Sequence, residues 1–159
     1  GILPDKIVYN YLERVVKMGC EAISFADTVG YANPQQVRRM MRHALRHYPD
    51  RHFTIHLHNT RGLGLANALA AYEAGVRSFD AAIGGLGGCP YAPGATGNVS
   101  TEDLVFMFEE MGINTGVRLP DLLQASRYLQ VILPDVALSS SLLKAGFPVS
   151  PPAIPACGS

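Results

Sequence analysis

The sequence predicts an α/β fold that is part of a TIM (β/α)8 barrel: about the last three strand-helix units, followed by carboxyl-terminal helices. Three observations predict it. Short strand-like runs alternate with segments of helical periodicity, which implies parallel strands joined by right-handed crossovers. Polar residues fall at the carboxyl ends of those runs, where β/α folds carry function. The run FTIHLH, residues 53–58, puts Thr54, His56 and His58 on one face and Phe53, Ile55 and Leu57 on the other. A barrel strand has this pattern, with an apolar outer face against helices and polar groups at its inner mouth. A whole barrel takes about 250 residues, and this chain has 159.

The elements follow in order. PDKIVYNYLERVVKMG, residues 4–19, aligns Ile7, Tyr11, Leu12, Val15 and Met18 on one helical stripe, with Pro4 at its start and Gly19 to stop it. EAISFADT is strand-length. Asn33 and Pro34 read as the N-cap and first-turn proline of a helix to Tyr48, with Val37, Met41, Ala44, Leu45 and Tyr48 at core spacing. Its arginines, Arg38, Arg39, Arg42 and Arg46, form the wet side. After the histidine strand, GLANALAAYEAG is an Ala- and Leu-rich helix closed by Gly75, and VRSFDAAI is a third strand. A glycine-rich loop, residues 84–97, leads to Ser100 and Thr101, which can cap a helix whose acidic first turn holds Glu102 and Asp103. Two further helices are expected over about 120–133 and 136–145. Residues 1–146 form the barrel part, and 147–159 a Pro-rich irregular tail.

Composition narrows the function. Thirteen Lys and Arg balance thirteen Asp and Glu, so no global field favours nucleic acid or an anionic membrane. No apolar run approaches the roughly 18 residues of a membrane span, and the first residues do not read as a signal peptide. Cys20, Cys89 and Cys157 are odd in number and lack metal-pair spacing, which suits a reducing compartment: the cytoplasm, or the mitochondrial matrix if a targeting segment preceded Gly1.

The residues that could carry chemistry cluster at the strand ends. His56 and His58 can converge on one ion, the alternative being two histidines hydrogen-bonded in a polar mouth. Asp27 ends the preceding strand, where it could orient a ligating histidine or serve a capping turn. In the loop GGLGGCPYAPGATGN, Gly85, Gly87 and Gly88 let the backbone approach a ligand. Cys89 at its tip offers a thiol for proton transfer, and Asn98 at its end offers a carboxamide oxygen to a metal. Arg61 could pair with a carboxylate or phosphate, or simply be solvated. Glu102 complements a helix N-terminus and lies close to Asn98 in sequence.

FADTVG, HLHNTRGLGLANALAAYEAG, FDAAIGGLGGCPYAPGATGN and TEDLVFMFEEMGINTGV together resemble the 3-hydroxy-3-methylglutaryl-CoA lyase family of the DRE-TIM metallolyases, from about Asp5 to Ala145. The resemblance implies that His56, His58 and Asn98 bind Mg2+ or Mn2+, that Cys89 is a catalytic loop cysteine, and that Asp27 and Glu102 are active-site carboxylates. It implies cleavage of an acyl-CoA substrate to acetyl-CoA and acetoacetate, with a homodimer as the intact assembly. The family's Arg-Asp pair on its first barrel strand is absent here, so the chain alone is expected to be inactive until amino-terminal strands complete it. Asn59 stands where many members carry aspartate. Two other readings remain: an acetyl-CoA-dependent Claisen-type synthase akin to isopropylmalate synthase, and a noncatalytic fragment that needs a partner chain.

Overall fold

A computed structural model describes residues 2–88 and 97–148. Three parallel strands, β1 (Ala22–Asp27), β2 (His52–Leu57) and β3 (Ser78–Asp80), form one sheet in the order β1-β2-β3. Helix α1 (Asp5–Lys17) precedes β1, α2 (Pro34–His47) links β1 to β2, and α3 (Gly64–Ala74) links β2 to β3. Helices α4 (Thr101–Glu110), α5 (Leu119–Ile132) and α6 (Ser141–Ala145) follow. This is the predicted alternation. Expected caps form: Asn33 accepts from the Gln36 N–H and Ser100 from the Asp103 N–H, each satisfying a donor that the first helical turn leaves free.

The core lies between the helices and the face of β2 that carries Phe53, Ile55 and Leu57. Ile55 and Leu57 pack with Val37 and Met41 of α2, Ala68 and Ala71 of α3, and Leu104 and Phe108 of α4. Phe53 packs with Ala44 and with Leu12 of α1. Among the described residues the histidine face of the sheet carries no such layer. Thr54, His56, Ser78 and Asp80 share it, and the strand register makes His56 the neighbour of Ala26 on one side and Asp80 on the other.

Three expectations change. The α1 stripe buries only Leu12, while Ile7, Tyr11 and Met18 are exposed. Strand β1 is the edge of the described sheet; α1 packs through Leu12 and Val16 in one cluster with Ala44, Phe53, Ile23 and Phe25, and the rest of its stripe stays open among the described residues. An apolar cleft of about 490 Å³ between α1, α2 and β1 marks that open flank. The third strand stops at Asp80 instead of running to Ile83, because Ile83–Gly85 turns as a 3-10 helix and Ala82 bridges to Ser100. The last helix is only Ser141–Ala145. Its start is set by Ser140, whose hydroxyl accepts from the Leu143 N–H, and Ser139 docks onto Gly84 instead of entering a helix. Residues 149–159 of the expected tail lie outside the described residues.

Candidate metal and acyl-CoA site

Strand β2 delivers both histidines to the mouth of the sheet. Their rings lie 5.2 Å apart between centroids, inclined by 61°. His56 is partly exposed, whereas His58 is buried at 7% exposure. Burial pushes the His58 imidazole below the ordinary histidine range; the neighbouring His56 adds to this and the Asp27 charge opposes it. A neutral ring keeps a lone pair on one nitrogen, the form that binds a metal.

Asn98 reaches the same place from the far end of the glycine loop. It forms an antiparallel bridge with His58, secured by Asn59 N–H to Gly97 O at 3.1 Å and Val99 N–H to Leu57 O at 3.0 Å. Its carboxamide is oriented by a bond from Nδ2 to Leu86 O at 2.6 Å. His58 Nδ1 and Asn98 Oδ1 are both buried without a hydrogen-bond partner. An unpaired buried acceptor costs about 1–3 kcal/mol, and these two lie on bridged residues beside a second histidine. Two imidazoles and a carboxamide oxygen are a donor set that suits a divalent ion. Among the described residues no group of three His, Cys, Asp or Glu is placed to hold a metal; the candidate third donor is the Asn98 carboxamide.

The root of the glycine loop is held from below. Glu102 is fully buried, and both its carboxylate oxygens accept the Gly84 N–H at 2.9 Å. Ser126 of α5 donates to the same carboxylate. Ser139 N–H donates to Gly84 O at 2.7 Å. Gly85 has φ of +70°, and a Cβ there would lie 2.0 Å from Ser139 Oγ and 3.0 Å from Asn98 O. Glycine is therefore required by both the backbone conformation and the close approach. Gly85 is buried, while Gly87 and Gly88 are exposed. Cys89 lies outside the described residues.

Asp27 accepts from the Tyr31 N–H at 2.9 Å through one oxygen and from the Ala32 N–H at 3.1 Å through the other, closing the loop after β1. Arg61 stacks over Tyr31, 4.2 Å from the ring centroid, and donates to Val29 O at 2.9 Å. The pair braces the β1 loop against the β2 loop. Sequence reasoning missed Asp80, Ser126 and Ser139. Asp80 is accessible through alternation, because Ser78-Phe79-Asp80 in β3 pairs in register with Thr54-Ile55-His56 in β2, with Phe79 toward the helices and Asp80 toward the histidines.

Parallel strands with crossover helices, and polar side chains gathered at the carboxyl strand ends, define part of a β/α-barrel protein. Residues 2–129 match the HMGL-like family profile, and the chain belongs to that family. It is 48% identical over 133 residues to a (R)-citramalyl-CoA lyase of Chloroflexus aurantiacus, covering 84% of this chain and 42% of that one. It is 42% identical over 128 residues to a hydroxymethylglutaryl-CoA lyase of Bacillus subtilis, covering 80% and 43%. The structure of an HMG-CoA lyase from Acinetobacter baumannii in complex with coenzyme A and 3-methylmalate superposes with a TM-score of 0.87 at 51% identity, over 98% of this chain and 50% of that one. The chain thus spans less than half the length of these curated relatives. Its open flank at β1 is consistent with that share.

Proposed function

We propose that this chain is the carboxyl-terminal part of a divalent-metal-dependent lyase that cleaves a carbon-carbon bond in a 3-hydroxyacyl-CoA, with 3-hydroxy-3-methylglutaryl-CoA as the first substrate. The observation that supports it most is the pair of unpartnered buried acceptors, His58 Nδ1 and Asn98 Oδ1, beside His56. These three residues would hold Mg2+ or Mn2+, which when bound supplies Lewis-acid stabilisation of negative charge developing on substrate oxygen.

The reaction has three events: the 3-hydroxyl loses its proton, the C2–C3 bond breaks as C3 becomes a ketone, and the resulting thioester enolate is protonated at C2. The products are acetoacetate and acetyl-CoA. Cys89 is assigned the third event, giving its thiol proton to C2. Gly87 and Gly88, exposed at the loop root, are the positions assigned to meet the substrate. Glu102 enters as a positioning residue, since its carboxylate holds Gly84 and thereby the loop that carries Leu86 and orients Asn98. Asp27 enters as the carboxylate that fixes the β1 loop and whose field reaches His58.

A second substrate is favoured by one observation, the 48% identity to a (R)-citramalyl-CoA lyase. That substrate differs from HMG-CoA by one methylene between carboxylate and carbinol carbon, and would release pyruvate. A single methylene changes selectivity by only about 10- to 200-fold, so both belong in one assay. Acetoacetate and pyruvate release are measured on the chain completed by an amino-terminal half, with Mn2+ or with chelator. Expected is metal-dependent product, reduced by about 10²- to 10⁴-fold in kcat on Cys89→Ala. Acetyl-CoA consumption with a 2-oxo acid in place of cleavage, unaffected by C89A, would move the reading to the Claisen-type synthase. No product from a folded, metal-loaded protein with either ester would overturn it.

A further inference from the structure

His56 differs from His58 in one respect that its proposed role does not explain: the carboxylate beside it has no other partner among the described residues. Asp80 is its register neighbour in the β2-β3 ladder, on the same face of the sheet, and Asp80 Oδ2 lies 3.7 Å from His56 Nδ1. A small rotation of the carboxylate closes that to a hydrogen bond, and the Asp80 side chain is free to make it, being 63% exposed. One step back along the same ladder, Thr54 Oγ1 already donates to Ser78 Oγ at 3.0 Å, so side chains on this face do reach across. Asp80 has no other hydrogen-bond or ion-pair partner among the described residues. The alternative orienting carboxylate, Asp27, is occupied by two backbone N–H groups.

An imidazole offers a metal whichever nitrogen lacks the proton, and the group bonded to the other nitrogen decides which that is. We propose that Asp80 is a positioning residue of the metal site: its carboxylate accepts the Nδ1–H of His56, fixing the tautomer and ring plane so that Nε2 faces the ion. His58, whose Nδ1 is the unpartnered atom, then differs from His56 in the nitrogen that it offers. The inference rests on the metal-site reading given above.

The test uses the complete protein with Mn2+ as the probe, its dissociation constant followed by the loss of free-ion EPR signal, for wild type, Asp80→Ala and Asp80→Asn. It is joined by 15N NMR of the His56 ring in the metal-free protein, at a pH where the ring is neutral. Loss of an outer hydrogen-bond partner weakens metal binding by about 10- to 100-fold, and that is the loss expected for D80A. D80N keeps an oxygen that accepts the Nδ1–H and is expected to recover most of it. The ring spectrum is expected to show an Nδ1–H tautomer in wild type and D80N, and a mixture in D80A. Wild-type affinity in D80A, or an unchanged tautomer there, overturns the inference. Equal loss in D80A and D80N overturns it too, because Asp80 would then act by its own charge on the ion. If wild type binds no Mn2+, the metal-site reading fails, while the tautomer spectra still decide what Asp80 does to His56.

Discussion

Glu102 gives the sharpest separation between a reacting carboxylate and a holding one. Its side chain is 0% exposed, and its described partners are the Gly84 N–H, bonded to both oxygens at 2.9 Å, and the Ser126 hydroxyl. Replacement by alanine leaves the buried Gly84 N–H without an acceptor, at a cost of about 1–3 kcal/mol, and opens a side-chain cavity. Ser126 keeps a second acceptor in Leu122 O, so its loss adds less. Together the expected destabilisation of Glu102→Ala is about 2–5 kcal/mol, a large share of the roughly 5–15 kcal/mol that holds a domain folded. Glu102→Gln retains one accepting oxygen and is expected to lose about half as much. The assay is urea unfolding of the complete protein, with Mn2+ affinity measured below the transition. Both variants are expected to weaken Mn2+ binding in the order of their destabilisation, since Gly84 anchors the loop that orients Asn98. An E102A protein that unfolds at the wild-type midpoint would refute the holding role.

Three further outcomes follow from the same geometry. Gly85→Ala is expected to destabilise by about 2–4 kcal/mol, combining left-handed backbone strain with a Cβ 2.0 Å from Ser139 Oγ; in thermal unfolding, Ser139→Gly in the same chain should recover part of that loss, and no recovery would mean that strain alone acts. Stability is expected to fall as pH drops through about 6.5, because burial holds His58 and His43 below their ordinary values and the unfolded chain then binds protons first; His43→Gln should flatten part of that slope in urea titrations between pH 7.5 and 5. Asn33→Ala removes the acceptor of the Gln36 N–H and is expected to lower stability by about 1 kcal/mol, read as a lower thermal midpoint with Mn2+ affinity unchanged.

Much of the fold was legible because local chemistry and tertiary demand agree in its middle. Asn33-Pro34 starts α2, Gly75 ends α3, and the alternation of FTIHLH places two histidines on one side and a core triplet on the other; each was read from neighbours in sequence. The parts that were not legible depend on what lies across space. The α1 stripe has helical periodicity whether or not anything covers it, so Ile7, Tyr11 and Met18 looked like core and are solvent-facing beside an unpaired strand edge. Val136 and Leu138 fit a helical pattern, yet the last helix starts only at Ser141, because Ser139 takes Gly84 O as its acceptor and Ser140 becomes the cap. The backbone partners of Asp27 and Glu102 are likewise invisible in a sequence, because Tyr31, Ala32 and Gly84 meet these carboxylates only once the loops have folded.

The two carboxylates and the two histidines make one argument about how this half-barrel divides its labour. Carboxylates with backbone partners, Asp27 and Glu102, sit where a loop must hold its shape: one closes the turn after β1, the other fixes the root of the glycine loop. Asp80, without such partners, sits where a side chain must be aimed. The acceptors left over, His58 Nδ1 and Asn98 Oδ1, are brought together by a single backbone bridge between β2 and the far end of the glycine loop. A cation bound there would tie that loop to the sheet, in the place of the two hydrogen bonds that the buried acceptors lack. On the proposed reading, metal binding and ordering of the loop root would be one equilibrium: whatever loosens Gly84 would weaken the ion, and whatever binds the ion would stiffen Gly84. Amide hydrogen exchange at Gly84 and Val99 is expected to slow together when Mn2+ is added, and exchange at either that ignores the ion would separate the site from its support.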